Sequence, residues 1–87
     1  MKYRLMVSPA GEKFMMRLPG RDYQAVRQAI DSLADEPWPA QSRTVVGGDY
    51  LRLRVGRYRV IYAVDTKVKV VYVERVARRN EKTYKGL

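Results

Sequence analysis

The chain has 87 residues, which suffices for one small domain and is too short for two independent hydrophobic cores. Eighteen Lys and Arg residues against nine Asp and Glu residues give a net charge of +9, a balance typical of proteins that bind polyanions. The absence of cysteine and histidine excludes disulfide frameworks, thiolate nucleophiles and His-dependent catalytic or zinc sites. Since no apolar run approaches the length of a membrane span or a secretory signal, we predict one cytoplasmic domain over 1–87, with no membrane association.

The positive charge is concentrated in the second half of the chain. Residues 1–41 carry six basic and five acidic side chains, whereas residues 42–87 carry twelve basic and four acidic ones. Twelve of the eighteen cations are arginines, whose planar guanidinium matches phosphate oxygens better than an ammonium group does. The polyanion-binding surface is therefore predicted in the second half.

The first half predicts one strand followed by two helices. Residues 2–7 are rich in β-prone side chains, and Ser-Pro at 8–9 is typical of a helix start. Pro-Gly at 19–20 ends this helix, and Asp22 is predicted to cap the next one. The second helix carries an apolar stripe at helical spacing, formed by Tyr23, Val26, Ile30 and Leu33.

The second half predicts three antiparallel strands. Residues 50–55 alternate between polar and apolar side chains, and Gly-Arg at 56–57 forms a two-residue type II′ hairpin turn. The return strand covers 58–64, a three-residue turn covers 65–67, and a third strand covers 68–76. The predicted fold is α+β, of order βααβββ, with a helical hairpin packed on one face of an antiparallel sheet.

The hairpin register predicts which side chains share a face. A two-residue loop places Val55 opposite Tyr58 and Arg54 opposite Arg59, so that Arg52 also projects with these two arginines. The other face, predicted to lie under the helices, carries Leu51, Leu53, Val55, Val60 and Val64. Like charges directly opposed across a hairpin cost up to ~1 kcal/mol, which favours a functional site over a merely solvated strand face.

The third strand is predicted to bring further cations to the same place. A three-residue turn sets Val64 opposite Val68, so that Val68, Val70 and Tyr72 would face the core while Lys69 and Arg75 would join the arginines. The end of this antiparallel strand lies near the 56–57 turn. Arg79 and Tyr84 are therefore expected to approach the pair formed by Arg54 and Arg59.

The segment LRLRVGRYRVIY at 51–62 resembles the basic strand, glycine turn and return strand of the RelE/ParE superfamily of type II toxins. Ser-Pro-Ala at 8–10 and Val-Ala-Arg-Arg at 76–79, ahead of Tyr84, fit the same family. The resemblance extends over essentially the whole chain. Its RelE branch implies a toxin that cleaves mRNA in the ribosomal A site, with no metal or other cofactor.

The resemblance also implies roles for individual residues. Arg59 and Arg79 match the family's transition-state and phosphate arginines, and Tyr84 matches its C-terminal tyrosine, so these three are the expected catalytic residues. The expected RNA- and phosphate-binding residues are Arg52, Arg54, Arg78 and Lys82. Relatives often carry lysine at 52 and 54; because arginine effectively keeps its proton, proton transfer would fall to Tyr84 here.

The same resemblance implies the partners of the protein. These are the ribosome with its mRNA, a cognate antitoxin that contributes an acidic or amphipathic segment, and operator DNA reached only through the antitoxin complex. Two alternatives remain open. One is a ParE-like inhibitor of DNA gyrase, a branch that typically lacks the Arg–Arg–Tyr set; the other is a non-catalytic module that binds the antitoxin as a co-repressor.

Overall fold

In the computed structural model, which describes residues 2–45 and 47–79, two helices pack against one face of a five-stranded sheet. The elements are β1 (Arg4–Val7), α1 (Pro9–Met16), α2 (Gly20–Ser32), β2 (Ser42–Thr44), β3 (Leu51–Val55), β4 (Tyr58–Asp65) and β5 (Val70–Arg78). The strand order is β1-β5-β4-β3-β2, with β1 parallel to β5 and the other pairs antiparallel. The predicted α+β class is confirmed, and β2 is an additional strand that was not predicted. Neither described helix is long and apolar enough to cross a bilayer.

The first helix begins where the sequence predicts it. The Ser8 hydroxyl accepts a hydrogen bond from the Gly11 backbone N–H at 3.0 Å, and Pro9 occupies the first turn. The same hydroxyl donates to the Glu74 carbonyl at 2.7 Å, which attaches α1 to β5. A Cβ at Gly11 would lie 3.2 Å from both the Ser8 hydroxyl and a Val7 methyl group, so glycine permits this close approach.

The second helix begins at Gly20, so the predicted capping role of Asp22 is wrong. The N-cap is Pro19, in an extended conformation (φ −55°, ψ 150°), and the Tyr23 backbone N–H already bonds to the Pro19 carbonyl at 2.9 Å. Asp22 lies in the first turn, where its carboxylate accepts a hydrogen bond from the Tyr58 hydroxyl. The helix starts early because proline supplies the extended entry and the following glycine adds no side chain to the first turn.

The hairpin between β3 and β4 has the predicted register. Val55 pairs with Tyr58 and Arg54 pairs with Arg59. Gly56 has φ 57°, the left-handed conformation that a type II′ turn requires at its first central position. The confirmed register places the arginines on the face of the sheet that the helices leave uncovered.

The turn between β4 and β5 differs from the prediction, because it contains four residues, 66–69, rather than three. Asp65 pairs with Val70. The Asp65 carboxylate accepts hydrogen bonds from the backbone N–H groups of Lys67 at 2.9 Å and Val68 at 3.2 Å, which satisfies a longer turn locally. The pairing after the turn is therefore shifted by three positions, so that Val64 lies opposite Val71 instead of Val68.

The longer turn changes which residues of β5 face the helices. Val64 pairs with Val71, and Val71 and Val73 belong to the helix-side core. Lys69 adopts φ 61° in the turn, and its ammonium group lies 5.1 Å from the centre of the Tyr3 ring rather than with the arginines. The predicted inward set of Val68, Val70 and Tyr72 is therefore wrong, and the predicted placement of Lys69 is also wrong.

A β-bulge then restores the predicted orientation of the side chains at the other end of β5. Tyr62 pairs with Val73, but the preceding Ile61 pairs with Arg75, so one residue of β5 is skipped. Arg75 consequently lies on the arginine face, as predicted. Beyond the bulge, Arg59 pairs with Ala77.

The core lies between the helices and the inward face of the sheet. Its fully buried residues include Met15, Val26 and Ile30 in the helices, Leu33 at the C-cap of α2, and Val60, Tyr62 and Val71 in the strands. The Tyr62 hydroxyl donates to the Pro37 carbonyl at 2.7 Å, which holds the loop after α2 against β4. This bond connects the helical layer to the sheet near β2.

Replacing Tyr62 by phenylalanine should lower the free energy of unfolding by about 1–2 kcal/mol, because the buried Pro37 carbonyl loses its donor. Urea denaturation followed by circular dichroism measures this change. An unchanged midpoint would show that the hydroxyl contributes nothing to stability.

Stability should also decrease in alkaline solution. Burial raises the pKa of Tyr62 above its ordinary value of 10.0, so the folded state favours the neutral phenol. The resulting stabilisation is fully present below the unfolded pKa and is lost as the pH rises through the folded pKa. Urea midpoints measured from about pH 8 to pH 11 should fall above about pH 10, and the fall should be smaller in Tyr62→Phe.

Candidate nucleic-acid interface

The arginines of the central hairpin lie together on the exposed face of the sheet. Alternation along β3 directs Arg52 and Arg54 away from the helices, and the register adds Arg59 from β4. These side chains border a cleft of about 410 Å³, which we call the arginine cleft; it is lined by Ala40, Gln41, Arg43, Arg52, Arg54 and Arg59. The predicted gathering of three guanidinium groups from two strands is present.

Arg43 is a member of the cleft that the sequence did not predict. It lies on β2 opposite Arg52. Its Nη1 donates to the carbonyls of Ala40 at 2.8 Å and Ser42 at 2.9 Å, which fixes the guanidinium at the rim. The sequence Ser-Arg-Thr is too short and too polar to show strand alternation, so its only signal was an arginine between two residues that strands tolerate.

Arg59, like Arg52, is half-buried. Burial lowers the pKa of Arg59, and the positive charges of Arg52, Arg54 and Arg79 lower it further. The guanidinium nevertheless stays charged near neutral pH, because arginine effectively keeps its proton. A bound anion relieves both the lost hydration and the mutual repulsion, so the site favours a negatively charged ligand.

Arg79 is attached to the hairpin turn beside this cluster, as predicted. Its backbone N–H donates to the Arg57 carbonyl at 2.7 Å, and its Nη1 donates to the Gly56 carbonyl at 3.1 Å. Its charge acts on Arg59. Two hydrogen bonds thus fix the end of β5 at the edge of the arginine cleft.

Of the remaining predicted site residues, Arg78 is the one that lies within the described part of the chain. Arg78 pairs with Tyr58 on the helix side of the sheet, with its guanidinium carbon 5.8 Å from the centre of the Tyr58 ring, so the structure does not bring it to the cleft. Lys82 and Tyr84 lie outside the described residues, and their roles stay predictions.

Comparison with known proteins establishes the family. Residues 19–83 match the family model described as the ParE toxin of the type II toxin–antitoxin system parDE. The chain belongs to the RelE/ParE family of type II toxins. The resemblance of its central segment to this family is thereby confirmed, and a search of curated proteins gives no significant sequence match.

Solved structures of RelE-type toxins share the fold of this toxin. The archaeal RelE–RelB complex of Pyrococcus horikoshii matches with a TM-score of 0.80 and 31% identity, over 93% of this chain and 99% of that one. The RelBE2 complex of Mycobacterium tuberculosis matches with a TM-score of 0.79 and 23% identity, over 91% and 100%. The intact RelBE complex of E. coli matches with a TM-score of 0.77 and 17% identity, over 91% and 99%.

The chemistry available in the cleft of this toxin is electrostatic. Among the described residues, those that line it are four arginines, one glutamine and one alanine, and none of these side chains exchanges a proton near neutral pH. In the described part of the chain, the acidic residues do not form a group of three that could hold a metal ion. The cleft can therefore bind a phosphodiester and stabilise added negative charge on it, while proton transfer requires a group from outside the lining.

Proposed function

We propose that this toxin is a ribosome-dependent, metal-independent endoribonuclease that cleaves mRNA. The observation that carries the proposal is the arginine cleft, bordered by Arg52, Arg54 and Arg59 with Arg79 fixed at its edge. Attack of a ribose 2′-hydroxyl on the neighbouring phosphate forms the O2′–P bond and breaks the P–O5′ bond, which leaves a 2′,3′-cyclic phosphate and a 5′-hydroxyl. The 2′-hydroxyl loses its proton to a base, the leaving 5′-oxygen gains one, and negative charge increases on the phosphate oxygens in the transition state. Preorganised guanidinium groups stabilise that charge in the transition state more than in the ground state.

Each arginine has a role that follows from its position. Arg59, on which the charges of Arg52, Arg54 and Arg79 all act, and Arg79 itself stabilise the scissile phosphate. Arg43, Arg52 and Arg54 bind the adjacent backbone phosphates. Lys82 extends this set along the chain, and Arg78 is left out because it lies on the helix side of the sheet.

Tyr84 is the proposed proton-transfer residue, because none of the described residues that line the cleft can serve. An ordinary tyrosine pKa near ~10 makes it a weak base at neutral pH. Catalysis then depends on a substrate held in the reactive geometry, which the ribosome supplies when it positions the mRNA codon. The free toxin should consequently cleave naked RNA slowly.

A cognate antitoxin is the proposed regulatory partner in the cytoplasm. The relatives from Pyrococcus horikoshii, Mycobacterium tuberculosis and E. coli were each solved as toxin–antitoxin complexes. The net charge of +9 favours an antitoxin segment that is acidic or amphipathic. Operator DNA is reached only through that complex.

Primer extension on mRNA from cells that express the toxin tests the proposal. We expect discrete cuts at defined positions within codons, and none in cells that also express the antitoxin. Cells that stop growing with intact mRNA would contradict the proposal.

Inhibition of DNA gyrase is the second candidate function, because the matching family model is that of the ParE toxins. A gyrase inhibitor would produce DNA breaks and leave mRNA intact. A non-catalytic antitoxin-binding module would produce neither effect and would leave growth unchanged. The same induced culture, assayed for mRNA cuts and for DNA breaks, separates the three functions.

Binding of RNA should depend on salt in proportion to the number of phosphates held. Replacing Arg54 with alanine should weaken binding and reduce the slope of log K against log salt by roughly 0.7, the value for one single-strand phosphate contact. Fluorescence anisotropy on a labelled RNA measures the slope. Arg21→Ala, on α2 at the opposite face, is the matched control and should leave the slope unchanged. Equal slopes for Arg54→Ala and the parent would show that Arg54 does not contact the RNA.

A further inference from the structure

A short hydrogen bond joins α2 to the first residue of β4. The Tyr58 hydroxyl donates to the Asp22 carboxylate at 2.6 Å, although the two residues are 36 positions apart in the chain. Tyr58 is only 3% exposed, and its ring packs edge-to-face on Phe14 with the ring centres 6.2 Å apart. This hydrogen bond raises the pKa of Tyr58, so the phenol stays protonated and remains a donor at neutral pH.

This bond lies directly behind the residues that act in the arginine cleft. Tyr58 precedes Arg59 in β4, and its partner across the sheet, Arg78, precedes Arg79. Because consecutive strand residues face opposite sides, holding Tyr58 and Arg78 on the helix side sets the direction in which Arg59 and Arg79 project. The Arg78 guanidinium lies over the Tyr58 ring, so both strands contact the same tyrosine.

The positive charges on the other face act against the strand ends that this hydrogen bond holds. Arg54 and Arg59 are directly opposed, and Arg79 adds a third positive charge beside them. Repulsion among these groups favours separation of the strands at the turn. Two hydrogen bonds oppose this separation. The bond from Tyr58 to Asp22 acts from the helix side, and the bond from the Arg79 N–H to the Arg57 carbonyl acts at the turn itself.

We propose that Tyr58 and Asp22 are positioning residues for the cleavage reaction: their hydrogen bond fixes the adjoining ends of β4 and β5 and so holds Arg59 and Arg79 where the scissile phosphate binds. This inference rests on the proposed endoribonuclease function. Neither side chain touches the RNA. Their effect is on the reactive geometry, so it should appear in the rate of the chemical step and not in the affinity for the ribosome.

Single-turnover cleavage of mRNA on purified ribosomes tests the activity. Tyr58→Phe and Asp22→Ala should each lower the maximal rate by about tenfold, while the toxin concentration that gives half the maximal rate stays within about twofold. Asp22→Asn should keep most of the rate, because its amide oxygen still accepts from the phenol. The double variant Tyr58→Phe/Asp22→Ala should be no slower than either single variant, because both remove the same bond.

Tyr62→Phe is the matched control for a merely structural effect. Like Tyr58→Phe, it removes a tyrosine hydroxyl from the helix-facing side of β4, but the hydrogen bond that it breaks is the one to the Pro37 carbonyl. It should cleave at the parent rate at a temperature where every variant is folded. Equal rates for Tyr58→Phe and the parent, or an equal loss in Tyr62→Phe, would overturn the positioning role.

Hydrogen exchange at the Arg79 amide provides a readout that does not depend on activity. This N–H bonds to the Arg57 carbonyl at 2.7 Å, so its exchange reports how firmly the end of β5 is held. Exchange should be about tenfold faster in Tyr58→Phe and unchanged in Tyr62→Phe. A parent toxin that leaves mRNA intact would contradict the endoribonuclease proposal, whereas unchanged exchange in Tyr58→Phe would contradict the anchoring itself.

Discussion

Replacing Arg59 with alanine should reduce mRNA cleavage on ribosomes by about 10²–10³-fold, the effect expected when one preorganised donor to a developing oxyanion is removed. Arg59 is half-buried and surrounded by the positive charges of Arg52, Arg54 and Arg79, so its guanidinium interacts with an anion in a partly dehydrated site. Arg59→Lys keeps the charge but loses the planar pair of donors. Its rate should lie between those of the parent and the alanine variant.

The stability of Arg59→Ala should distinguish a functional arginine from a structural one. Burial and neighbouring positive charges make the Arg59 guanidinium unfavourable in the folded toxin. Its removal should therefore leave the free energy of unfolding unchanged or raise it by up to ~1 kcal/mol, although activity falls. Arg21→Ala on α2 is the control and should retain full activity. An Arg59→Ala toxin that cleaves at the parent rate would remove Arg59 from the site.

Replacing Tyr84 with phenylalanine should reduce cleavage by about 10²–10⁴-fold, the range for loss of a general acid or base. Arg79 is fixed at the hairpin turn, and Tyr84 follows it by five residues, a span of up to roughly 17 Å. The chain is therefore long enough to bring the phenol back over the cleft. Within residues 2–45 and 47–79, no side chain that lines the cleft could replace it in proton transfer.

The pH dependence of the rate separates proton transfer from charge stabilisation. If Tyr84 is the base, the rate of the parent should rise about tenfold per pH unit below the tyrosine pKa near ~10. Arg79→Ala is the matched control: it should lose rate but keep this slope, whereas Tyr84→Phe should lose both. A Tyr84→Phe toxin with the parent slope would assign proton transfer to another group.

The hairpin could be predicted because two local rules determine it. Strict alternation over 50–55 and a two-residue loop leave one register that buries the apolar side chains, and this register alone places Arg54 opposite Arg59. The next turn could not be predicted in the same way. Its length depends on the Asp65 carboxylate, which bonds to two backbone N–H groups of the loop, and a turn of four rather than three residues reverses the side chains that follow it as far as the bulge.

The composition of the site was predictable only in part. The alternation of side chains along the strands predicted Arg52, Arg54 and Arg59. It did not predict Arg43, which joins them because β2 pairs with β3 across a loop that has no local pattern. Arg78 was predicted in the cleft but lies on the helix side, because neighbouring strand residues face opposite sides and only one of the two consecutive arginines can reach the cleft. The role of Asp22 was missed because its partner, Tyr58, is distant in the sequence.

Cleavage of a defined mRNA by purified toxin on ribosomes with an empty A site tests the central claim most directly. We expect a single cut within the A-site codon, with a 2′,3′-cyclic phosphate on the upstream fragment, and a rate about 10²–10³-fold lower with Arg59→Ala. Intact mRNA, in a sample whose toxin inhibits DNA gyrase in a parallel supercoiling assay, would contradict it.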